Sequence, residues 1–183
     1  MNAQTATQAQ TKSTDAPARD FAHELAREFA HEAKTTRKLL ERLPDDKLGW
    51  KPHEKSFTAG GLASHIVDCL RWADSILGAD ELDFDPTGYR PYQASSVAEL
   101  LASFDDRAAC CELALTGIDD GALAQPWRFK IMGRLRFEKP RAAVFRDFTL
   151  SHLIHHRGQL SVYLRLLDVP VPGAYGPSAD EKG

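Results

Sequence analysis

The chain has little cysteine, no long apolar run and no cluster of basic residues, and each shortage removes a class of function. Its three cysteines are Cys69, Cys110 and Cys111. An odd count with two adjacent members makes no disulfide framework, which points to the reducing cytoplasm. No apolar stretch approaches the roughly 20 residues that a membrane-crossing helix needs, so no membrane partner is expected. Lys and Arg are scattered, and the net charge is -3 with seven His taken as neutral. A phosphate-tracking face, and with it a nucleic-acid partner, is therefore not expected. A secretory leader would start basic and continue apolar, and residues 1–20 do neither. They are rich in Ala, Gln, Thr and Ser, too polar to order by burial. Residues 1–19 are accordingly expected as a flexible tail ahead of one domain at 20–183.

What is present is enough apolar content, 43% of 183 residues, for a single core. Four segments carry apolar residues at three-to-four spacing, the mark of helices with one inward face. They span residues 19–42, 58–77, 96–118 and 141–167. The first stops at Pro44, which cannot continue a helix. The second has Thr58 as its N-cap and an inward stripe of Leu62, His65, Ile66, Cys69, Trp72, Ala73 and Ile76. The third turns Val97, Leu100, Leu101, Phe104, Ala108, Cys111 and Leu115 inward. On the fourth, Val144, Phe148, His152, His156, Tyr163 and Leu167 read as one face. Residues 78–95 read as a surface connection. Residues 127–137 alternate around Met132-Gly133 as a short hairpin. The fold expected is all-α, a four-helix bundle with long connections.

The chemistry concentrates in Ser151-His152-Leu153-Ile154-His155-His156-Arg157-Gly158-Gln159. His152 and His156 are four apart and project from one helix face. Two imidazoles on an apolar face are costly unless each ring nitrogen finds a partner, and a metal ion supplies one. His65, on the inward stripe of the second helix, is the candidate third ligand. Three protein nitrogens leave a coordination position open, the arrangement of a catalytic site. The blander alternative is a set of core histidines paired with carboxylates or carbonyls.

Around this set, His155 points away, as a surface residue or a neighbour of the ligands. Gln159 is placed to contact an imidazole or a bound water, and Arg157 to grip a substrate or face solvent. Asp68 and Asp147 are candidate carboxylates for orienting a ligand ring. Cys69, one turn after His65, is either a soft ligand or a small apolar filler. Gly158 inside a helix costs about 1 kcal/mol relative to Ala, which suggests close helix approach or a need for room. A di-iron carboxylate centre would need two Glu-x-x-His motifs; only Glu28-Phe29-Ala30-His31 fits, so that chemistry is set aside.

Four pieces of the chain, in order, resemble the DinB/YfiT-like metalloenzymes. They are Leu43-Pro44-Asp45-Asp46-Lys47-Leu48-Gly49-Trp50-Lys51-Pro52, Ser56-Phe57-Thr58 through Gly61-Leu62-Ala63-Ser64 to His65, His152 through Gln159, and Tyr175-Gly176-Pro177-Ser178-Ala179-Asp180-Glu181. The resemblance implies a four-helix bundle, a homodimer, and one zinc or nickel ion per chain on His65, His152 and His156. It also implies a small-molecule substrate, with thiol transferases using low-molecular-weight thiols among the characterised members. On that basis two functions compete: a metal-dependent thiol transferase or hydrolase, and a non-catalytic metal-binding or stress-response bundle. Gly60-Gly61 departs from the family, where a helix former is usual, and predicts a looser turn there.

Overall fold

The computed structural model describes residues 20–181, so the tail expected at 1–19 lies outside the described residues. Helix α1 (Phe21–Leu40) begins where the Asp20 carboxylate accepts from the His23 backbone N–H, satisfying one of the free donors of its first turn. Helix α2 (Ala59–Gly78) starts at the expected cap, with the Thr58 hydroxyl accepting from the Gly61 N–H. Helix α3 (Val97–Thr116) is capped by Ser96 in the same way. A short helix α4 (Asp120–Ala124) follows. The fourth long segment is one rod in three parts: α5 (Arg141–Phe145), a π-helical turn (Arg146–Leu150) and α6 (Ser151–Leu166). Both α1 and α2 pack against α3 and α6. Leu25, Phe29, Leu62, Ile66, Leu100, Phe104, Leu153 and Leu160 meet in one core.

The all-α expectation needs correction. The protein is mostly helical but carries a three-stranded sheet, β1 (Glu81–Phe84), β2 (Pro126–Ile131) and β3 (Arg134–Pro140), in that order. The β2–β3 hairpin lies where the alternation placed it. Its loop residues Met132 and Gly133 have φ of 50° and 75°. Positive φ at both positions is what a two-residue loop needs to match the strand twist. Strand β1 pairs parallel to β2 from inside the stretch expected as a plain connection. Four residues, two of them acidic, are too few to announce a strand; the pairing comes from Leu82 and Phe84 packing on the core beside Trp72.

The sheet holds the fourth segment in place. Trp127 is fully buried and donates its indole N–H to the Ser75 carbonyl. The Arg141 guanidinium donates to the Ile76 and Ala79 carbonyls at the end of α2 and pairs with Asp80. The start of α5 is thereby pinned to the C-terminus of α2, whose free carbonyls favour a cation.

The π-helical turn alters the face that regular spacing predicts. A π turn holds an extra residue, so the helix beyond it is rotated about its axis. Beyond it the fully buried stripe is Leu153, Leu160 and Leu164, not the line through Tyr163 and Leu167, which are only half-buried. His152 and His156 sit at the border of that stripe, His152 half-buried and His156 buried.

Gly60 also differs from expectation. Its N–H donates to the Leu48 carbonyl, and an added Cβ there would lie 3.0 Å from that oxygen and 3.1 Å from the Leu48 Cβ. The glycine lets the 44–58 segment lie flat on the start of α2, so the turn is tightly packed rather than loose. Gly158 shows the reverse: a Cβ would meet nothing within 4 Å, so no close helix approach requires it.

Candidate metal centre

Three imidazoles converge between α2 and α6. The ring centroids are 5.1 Å apart for His65–His152, 4.6 Å for His65–His156 and 4.7 Å for His152–His156. Three imidazoles bound to one tetrahedral ion at about 2.0–2.1 Å would have centroids roughly 5 Å apart. The arrangement fits a shared ion. The donor atoms that lie within 4.8 Å of one another belong to His65, Cys69 and His152. His156 joins the cluster through its ring positions, and its Nδ1 is 2.8 Å from Gln159 Oε1. An amide oxygen only accepts, so Gln159 fixes the proton on Nδ1 and leaves Nε2 with its lone pair free.

All three rings are tuned to be neutral. Burial pushes the pKa of each down from 6.5, and mutual repulsion among the rings adds to this for His152 and His156. His156 is lowered to about 4. Three opposing influences are weaker than burial: the Asp68 charge near His65, a hydrogen bond from the His152 ring to the Phe148 backbone, and the Gln159 hydrogen bond to His156. A neutral imidazole is the ligand form, so the cluster is ready for a cation at neutral pH.

The same shift predicts a pH dependence for metal-free protein. The unfolded chain protonates His156 near pH 6.5 and the folded chain only near 4, so stability is full above 6.5 and falls as pH drops between the two. Between about pH 7 and pH 5 the loss should be on the order of 1 kcal/mol, after allowance for solvent reaching the ring. Urea unfolding of wild type and His156→Gln checks this. The variant should show a shallower slope, and equal slopes would contradict the assignment.

The other residues expected at the site separate into two groups. Gln159 is in place. His155 is exposed, with its ring 4.8 Å from that of His156. Arg157, by contrast, does not face the cluster's solvent side. It is 2% exposed, donates to the Glu32 carboxylate and backbone carbonyl, and donates to the Tyr175 hydroxyl. Asp68 is also buried, but it accepts from Arg71, the Tyr89 hydroxyl and the Tyr92 N–H. It therefore ties the 89–92 segment to α2 rather than holding a ligand ring. Asp147 pairs with Lys139 at the surface.

Phe57 has no signal in the spacing, yet it lies against the cluster. Its ring stacks on His65 with centroids 5.7 Å apart and a 23° tilt, and it is 54% exposed. The Tyr163 hydroxyl donates to the Phe57 carbonyl, and Trp50 packs edge-on against Tyr163. The 44–58 segment thus forms an aromatic rim beside the histidines. Glu32 and Tyr175 were equally silent, because a buried pair separated by more than a hundred residues leaves no local pattern.

Comparison with known proteins bears on the family and the fold. The chain is 29% identical over 152 residues to the uncharacterised protein YrdA of Bacillus subtilis (strain 168), covering 82% of this chain and 85% of that one. A DinB-like protein from Bacillus cereus ATCC 10987 superposes with a TM-score of 0.67 at 25% identity, over 84% of this chain and 97% of that one. The DinB-like protein YjoA of Bacillus subtilis gives 0.60 at 20% identity, over 80% and 95%, a likeness of fold. The DinB superfamily model matches residues 28–160. With most of its length matched and its histidines drawn together between α2 and α6, the chain belongs to the DinB superfamily.

Proposed function

We propose that the protein binds one divalent ion, zinc or nickel, through His65, His152 and His156, and uses it as a metal-dependent enzyme on a small molecule. Convergence of three neutral imidazoles from two helices carries this reading. Three nitrogen ligands leave a position for exchange, and the half-buried His65 and His152, beside the exposed Phe57, are reachable from solvent. An ion there would lower the pKa of a bound thiol or water and so supply a nucleophile at neutral pH. Thiol transfer and hydrolysis are the two reaction types this supports, and a low-molecular-weight thiol is the co-substrate in the first.

Gln159 holds the His156 ring in the ligand tautomer, and Phe57 and Trp50 supply an apolar wall. A homodimer in the cytoplasm is part of the same proposal, and the three free cysteines are consistent with a reducing compartment. Among the described residues no helix is long and apolar enough to cross a membrane.

The second reading is a non-catalytic metal-binding bundle. Cys69 favours it, since a fourth protein ligand would fill a tetrahedral ion. Turnover separates the two. Metal-loaded protein should consume a small electrophile with a low-molecular-weight thiol, or cleave an ester or amide, and a chelator should abolish the activity. A fully loaded protein inert toward both panels would sink the enzymatic reading and leave the binding one.

A further inference from the structure

We infer that Cys69 is a fourth protein ligand, giving the ion a set of three imidazoles and one thiolate. The inference rests on the proposed metal site and specifies its chemistry. Cys69 is four residues after His65 on α2, so both side chains project from one helix face. The side chain is fully buried and its sulfur lies within 4.8 Å of donor nitrogens of His65 and His152. Cys69 is fully buried, while Phe57, stacked on His65, is exposed. Four protein ligands would fill a tetrahedral ion, so a substrate would reach it only by expansion to five-coordination.

Binding breaks the S–H bond, sends the proton to solvent and forms a sulfur–metal bond, with no change of oxidation state. A thiolate in the set selects soft and borderline ions and disfavours Mg²⁺ and Mn²⁺, which three imidazoles alone discriminate against less. It also lowers the net charge of the loaded centre from +2 to about +1, leaving a weaker Lewis acid than an all-nitrogen site.

Cobalt(II) substitution tests this without any assay of activity. Wild-type protein loaded with Co²⁺ should show a sulfur-to-cobalt charge-transfer band in the near ultraviolet. Cys69→Ala should lose that band while keeping the visible bands of a bound ion. X-ray absorption at the zinc edge of the wild-type protein gives the same answer even where the variant fails to fold: one sulfur at about 2.3 Å beside nitrogens at about 2.0–2.1 Å. Bound cobalt without the charge-transfer band, and a zinc shell of nitrogen and oxygen alone, would overturn the inference and leave the three-histidine site standing. Failure to bind any ion would remove both.

Discussion

Arg157→Met is expected to lower stability by about 3–5 kcal/mol, the cost of leaving a buried carboxylate without its partner. Arg157 and Glu32 are both nearly inaccessible, and Tyr175 closes the group by accepting from Arg157 and donating to Glu32. Three parts of the chain, α1, α6 and the C-terminal segment, meet at these side chains. Without the guanidinium, Glu32 keeps only the tyrosine hydroxyl in a region where its charge is poorly solvated. The double variant Glu32→Leu/Arg157→Met removes both charges and should recover most of the loss. Denaturant unfolding measures all three proteins. A single variant within about 1 kcal/mol of wild type would show that solvent reaches Glu32 readily. The folded variant should also retain its metal, because Arg157 faces α1 and not the histidine cluster.

His65→Ala should weaken metal affinity by more than about 100-fold, beyond what loss of an orienting neighbour costs. His65 is the proposed ligand on α2 and would tie the two helices to one ion. Its ring is also within 5.1 Å of both partners, and of the other histidines only the exposed His155 has its ring against the cluster, on the same helix as His152 and His156. His53→Ala serves as the control and should bind as wild type does. Competition with a chromophoric chelator reads the difference. Equal affinities for His65→Ala and His53→Ala would remove His65 from the site.

Much of this centre was legible from spacing alone. His152 and His156 at four residues apart, and His65 on an apolar stripe, are local patterns that a helix converts directly into geometry. Thr58 and Ser96 likewise announced where helices begin. Rotation of the fourth segment was not legible, because a π-helical turn depends on how Arg146–Leu150 packs rather than on any residue type. Strand β1 exists only because β2 lies beside it. The fate of Arg157 was hidden for a similar reason: a cation four residues from Leu153 reads as solvated until Glu32, 125 positions earlier, is brought against it. Local signals reported the histidines that converge, and long-range packing decided their surroundings.

Bound metal per chain tests the central claim most directly. Protein purified without a metal-binding tag, then reconstituted with zinc or nickel and freed of excess, would be measured by elemental analysis beside His65→Ala and His152→Ala. The account predicts about one ion per wild-type chain and little in either variant. A wild-type chain that holds no ion after reconstitution would contradict it, and the three histidines would then be core residues that happen to meet.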